Sequence, residues 1–111
     1  MAYETWEREH DERLVASLRS AQIVETETTP GTWFIELAHL TGWVESTAEG
    51  EVIWYTTISG SNGDKWSEGT LRGGSESKRW QAYARACVRN ALDELRGEVI
   101  SMAAKRLEYA A

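Results

Sequence analysis

The chain has 111 residues, of which 41% are hydrophobic and 27% charged, and its formal net charge is -6. That is enough chain for one domain, residues 1–111, built around one core with no disulfide or metal needed to hold it. A single cysteine, Cys87, rules out an intramolecular disulfide, and no apolar run approaches the roughly 18 residues of a membrane-spanning helix, so a cytoplasmic protein is expected.

The first segment, Tyr3 to about Ala21, has a helical period. Tyr3, Trp6, His10, Leu14, Ser17, Leu18 and Ala21 recur at steps of three and four residues and share one face. Glu4, Glu7, Glu9, Asp11 and Glu12 crowd its first half, where carboxylates suit the positive end of the helix dipole, and they give the helix an acidic back. The same acids stand where a signal peptide needs a basic start and an apolar stretch.

Ile23–Thr28, IVETET, alternates apolar and polar residues and fits a short strand or an extended linker. Pro30 and Gly31 then mark a turn. The run WFIELAHL admits two readings. As a strand it sets Trp33, Ile35, Leu37 and His39 on one side; as a short helix it gathers Glu36, His39 and Trp43, with Gly42 as the stop. Trp, Phe and Ile tip the balance towards strand. TAEGE and SNGDK both carry hairpin-turn chemistry, and VIWYTTIS between them is the strongest strand signal in the chain. Val52, Trp54, Thr56 and Ile58 line one of its sides, and Ile53, Tyr55 and Thr57 line the other. Apolar bulk on both sides implies that both sheet faces are covered, the second by the N-terminal helix or by a partner. Lys65–Arg72 is the next strand, closed by Gly73 and Gly74.

From Ser75 onward the pattern is helical, with Ser75 or Ser77 as N-cap and Gly97 as a point of kinking or breaking, Glu98–Tyr109 being a last helix or a continuation at about 1 kcal/mol relative to alanine. Trp80, Ala84, Cys87, Val88, Ala91 and Leu95 form its core side. Opposite them Lys78, Arg85, Arg89 and Arg96 fall within about 40° of one another and extend over about 27 Å. This stripe is either the wet face of a helix or a line of cations for a phosphate backbone or an acidic protein. The expected fold is α+β: an N-terminal helix, an antiparallel meander of three or four strands, and a C-terminal helix packed on the sheet. Trp33, Trp54, Trp80, Leu92 and Leu95 are the expected core. The order helix, three strands, helix, with glycines just before Ser77-Lys78-Arg79, resembles that of double-stranded-RNA-binding domains. Trp80 and Gln81 interrupt the lysine-rich, alanine-spaced motif that opens the last helix of those domains. An acidic first helix would also oppose a duplex, so the resemblance implies fold rather than function.

No motif names a reaction. His10, His39 and Cys87 make no ligand spacing, Asn62-Gly63-Asp64 lacks the alternating acids of a calcium loop, and GTLRGGSES has no lysine after its glycines. Neither metal, cofactor nor catalytic residue is expected. Charge, by contrast, is unevenly divided. Residues 1–64 hold 3 basic and 12 acidic side chains and residues 65–111 hold 9 and 6, so the two parts carry -9 and +3. Such a division gives either a bipolar surface or two halves that neutralise each other on packing. Six tryptophans add large anchors for a core or an interface. The leading expectation is a small non-enzymatic binding protein that acts through protein contacts, such as an accessory factor or inhibitor from a phage or mobile element. Its acids Glu4, Glu7, Glu9, Asp11 and Glu12 would engage a basic, nucleic-acid-handling partner. The alternatives are nucleic-acid binding through Lys78, Arg85, Arg89 and Arg96, and a homo-oligomeric structural or enzyme-subunit role.

Overall fold

The computed structural model describes residues 4–47, 51–58, 65–72 and 77–109. The centres of the TAEGE and SNGDK turns, Gly73, Gly74 and the Ser75 cap lie outside the described residues. Seven elements follow one another: α1 (Thr5–Ser20), β1 (Val24–Thr29), β2 (Thr32–Leu37), β3 (Leu40–Ser46), β4 (Glu51–Ile58), β5 (Lys65–Arg72) and α2 (Ser77–Tyr109). The strands form one antiparallel sheet in the order β1-β2-β3-β4-β5, so every strand pairs with its neighbour in sequence. The α+β fold is the expected one, with five strands in place of three or four.

The additional strands have local causes. IVETET is an edge strand, joined to β2 through Pro30 and Gly31. Proline fixes φ near -65°, and Gly31 supplies φ +83°, the pair of values a type II turn requires. The run from Trp33 to Ser46 is two strands rather than one, because Ala38 and His39 turn the chain between Leu37 and Leu40. Ala38 adopts φ 54°, an uncommon conformation for a residue with a Cβ, so the turn carries no sequence signal of its own. His39 thus belongs to a hairpin turn and not to the side of a strand.

The core lies between one sheet face and α2. Ile35, Leu37, Leu40, Val44 and Val52 from the sheet meet Ala84, Val88, Leu92 and Leu95 from α2, all buried, and Trp33, Trp54 and Trp80 pack against them at its margin. Gly42 sets how close the layers come, since a Cβ there would collide with Val88 Cγ1. Thr56 is the buried polar residue of this face, and its hydroxyl bonds that of Ser67 at 2.7 Å. Across the β4–β5 ladder the Trp54 indole lies over Gly69, which leaves the ring room to cover the neighbouring strand.

Helix α2 runs from the Ser46 end of β3, where Gln81 bonds Ser46 Oγ at 3.0 Å, past Gly42 towards Leu40. Its 33 residues span about 50 Å, whereas the seven of β3 span about 23 Å, so the helix overshoots the sheet. The molecule is accordingly elongated, 56 × 23 × 18 Å. Helix α1 packs along the overshooting half rather than on the sheet. Contacts between Asp11 and Arg106 at one end and between Ala21 and Arg96 at the other make the two helices antiparallel. Of the two covers expected for the second sheet face, the N-terminal helix or a partner, α1 is therefore not the one. Leu18 reaches the main core, while Leu14 and Val15 extend it outward along α2. The helix α2 is continuous through Gly97, where an added Cβ would meet nothing within 4 Å. An exposed glycine costs a helix about 1 kcal/mol relative to alanine, which a packed 33-residue helix absorbs.

Candidate functional site

The five acids of α1 do not share a surface. Glu4 is the N-cap residue, and its carbonyl accepts from the amides of Glu7 and Arg8 at 3.1 Å. Glu9 and Glu12 are exposed, as is Trp6 at 66%. Glu7 is half-buried, and Asp11 is 4% exposed, on the side that meets α2. There Arg106 donates from Nε and Nη2 to the two carboxylate oxygens of Asp11, at 2.9 and 2.8 Å. The period of 3.6 explains the split: Glu7 and Asp11 are four apart and follow the apolar side, while Glu9 and Glu12 project away from it. Asp11 is thus a structural partner rather than part of an outward acidic face.

The basic stripe of α2 is likewise drawn inward for most of its length. Lys78 is exposed in the first turn. Arg85 Nε and Arg89 Nη1 both donate to Glu25 Oε1 on β1, at 3.1 and 3.0 Å. Burial pushes the Glu25 carboxyl up, but the hydrogen bonds and charges of the two arginines outweigh it and hold the group below its ordinary value. The Arg85 guanidinium also lies 3.6 Å from the centroid of the Trp33 ring. Arg96 donates to the carbonyl of Ala21 at 3.2 Å and pairs with Asp93. Three of the four cations therefore fasten β1 and the α1–β1 connection to α2. The signal that could have found Glu25 was the charge division itself, since an acidic N-terminal part and a basic C-terminal part can neutralise each other across the core.

The second sheet face, opposite α2, carries what the charge pattern did not reveal. Strand register places Thr26, Phe34, Trp43, Tyr55 and Glu68 in one row across all five strands. Phe34 and Trp43 lie with ring centroids 4.5 Å apart, tilted by 34°. Ile53 adjoins Tyr55 two residues back along β4, and all four apolar side chains are half-buried. Because β2 and β3 are antiparallel, Glu36 and Glu45, each two residues beyond its aromatic neighbour, flank the Phe34–Trp43 pair from opposite ends. On the same face the Thr41 and Thr57 hydroxyls bond each other at 2.8 Å. No described helix lies over this surface. A solvated face of an antiparallel sheet normally alternates to polar residues; this one is aromatic at its centre and acidic at its border. Its sequence signal was the apolar bulk on both sides of VIWYTTIS.

Among the described residues no group of three His, Cys, Asp or Glu side chains is placed to hold a metal ion, and no helix is long and apolar enough to cross a membrane. Burial pushes the Cys87 thiol up, away from the thiolate a nucleophile needs. No family model, curated protein or solved structure matches this chain.

Proposed function

We propose that this protein is a small non-enzymatic binding domain, an accessory or inhibitory factor that docks another protein on the uncovered face of its sheet. The observation that carries this reading is the row Phe34–Trp43–Tyr55, which no described element of the chain covers. Aromatic side chains supply large, stiff contact area, and they are the residues on which protein interfaces concentrate their binding energy. A nucleic-acid role for the α2 stripe gains less support, because Arg85 and Arg89 already share a carboxylate and Arg96 has its own partners. The competing reading places docking at the start of α1, where Glu4, Glu9 and Glu12 are exposed and Trp6 is 66% exposed.

The test is affinity purification from the native cells with the wild type, with Phe34→Thr/Trp43→Thr, and with Glu4→Lys/Glu9→Lys/Glu12→Lys. Threonine keeps strand propensity, so the first variant should retain the far-ultraviolet circular dichroism of the wild type. The sheet-face reading requires a partner that the threonine variant loses by at least tenfold and the lysine variant keeps. The reverse pattern assigns binding to α1 and overturns it.

A further inference from the structure

Resting on the assignment of docking to the sheet face, we infer that its occupant is an extended, arginine-bearing segment of a partner protein. The charge of the surface chooses among occupants. Glu36 and Glu45 flank the Phe34–Trp43 pair, and Glu51 and Glu68 take register positions on the same face. The register also sets Lys65 and Arg72 on this face, opposite Thr57 and Glu51 at the two ends of β5, two strands away from Trp43. Around Phe34 and Trp43 themselves the field is therefore set by carboxylates, which repel a phosphate backbone. A second copy laid face to face on this part of the sheet would bring like charges together, and that is also unfavourable.

The chain itself shows what such a combination holds. On the inner face, Trp33 of β2 and Glu25 of β1 stand on adjacent strands. Arg85 fills the place between them, its guanidinium 3.6 Å from the ring centroid and its Nε 3.1 Å from the carboxylate. The outer face repeats these chemical elements, aromatic rings with carboxylates on the same and adjacent strands, and among the described residues Arg79 and Arg85 stack on Trp80 and Trp33 rather than on Phe34 or Trp43. A planar guanidinium stacks on a ring while it donates in its own plane, so it can use rings and carboxylates at once, whereas an ammonium offers only a compact charge. Glu36 and Glu45 lie about 13 Å apart along the strand direction, four residues at about 3.3 Å each. An extended segment with a side chain at every second position can place one residue over the rings and arginines towards both carboxylates.

The probe is a fluorescein-labelled nonapeptide of alternating arginine and threonine, with lysine and glutamate versions, titrated into the 15N-labelled protein. Saturable shifts are expected at the Trp43 indole and at the amides of residues 32–36 and 41–45. The lysine peptide should bind about threefold to tenfold more weakly and the glutamate peptide not at all. Glu36→Gln/Glu45→Gln should weaken the arginine peptide about tenfold, while Glu4→Gln/Glu9→Gln/Glu12→Gln should leave it unchanged. The inference is overturned by shifts that map to α1, by equal response to the glutamate peptide, or by no saturable response. It is also overturned if a DNA duplex, or raising the protein's own concentration, moves the same signals in place of the peptide. Loss of partner capture by Phe34→Thr/Trp43→Thr without any arginine-peptide binding would leave the docking face standing and remove only its basic occupant.

Discussion

Asp11 and Arg106 lie 95 residues apart in sequence and form a two-point ion pair that ties the first helix to the last turns of α2. The carboxylate is 4% exposed, whereas the arginine side chain is 46% exposed, so the two sides of the pair are unequal. Removing the arginine leaves a buried charge; removing the carboxylate leaves a cation that water can reach. Arg106→Ala should therefore destabilise by about 2–3 kcal/mol, more than Asp11→Asn, and the double variant should lose less than the sum of the two. Urea unfolding of the four proteins checks the order.

Glu25 carries a pH prediction. Its folded pKa is held below the ordinary 4.5 by Arg85 and Arg89, so the stabilisation is complete above that value and is lost as pH falls through the folded one. Glu25→Gln should cost about 1 kcal/mol at pH 7, and the gap between variant and wild type should narrow as pH falls below 4.5. A gap that stays constant from pH 7 to pH 3 would remove the ion pair from the account of stability.

Gly42 faces Val88 with no room for a methyl group. Gly42→Ala should destabilise by about 1–3 kcal/mol through overpacking. Val88→Ala opens the space on the other side, so Gly42→Ala/Val88→Ala should be more stable than the sum of the single losses predicts. Thermal unfolding of the three variants measures this coupling.

Ala38 holds φ 54° in the β2–β3 turn. Glycine accepts that conformation without the Cβ penalty, so Ala38→Gly should stabilise by about 0.5–1 kcal/mol after its extra unfolded-state entropy is counted. A fall in the unfolding midpoint would show that the turn is not strained.

The elements that local chemistry dictates were legible in the sequence. Period 3.6 located α1 and α2, and the alternation in VIWYTTIS and Lys65–Arg72 located β4 and β5, each within about two residues. The β2–β3 boundary was not legible, because Ala38 and His39 carry none of the residue preferences of tight turns and the register of neighbouring strands imposes their conformation. The candidate surfaces depended on pairing across long sequence distances. Nothing local in IVETET shows that Glu25 receives two arginines some 60 residues away. Helical spacing does put Asp11 on the side of Leu18 and Glu12 off it, but nothing local shows that Arg106, 95 residues away, meets Asp11 there. The aromatic row on the second face needed the register of three strands, and only its β4 member, Tyr55, stood out in advance.

The overshoot of α2 also sets an order of events during synthesis. Helix α1 is made first, yet the residues that cover its apolar side, up to Arg106, are made last. At about 5–20 residues per second it waits roughly 5–20 s for them. A 16-residue helix alone in water is marginal, so α1 spends that interval as an uncovered amphipathic segment, while the meander behind it pairs strand by strand. Completion of the fold is thus gated by the arrival of the chain's final helical turns, and a nascent chain stalled short of them would hold a formed sheet with its first helix still searching for a surface.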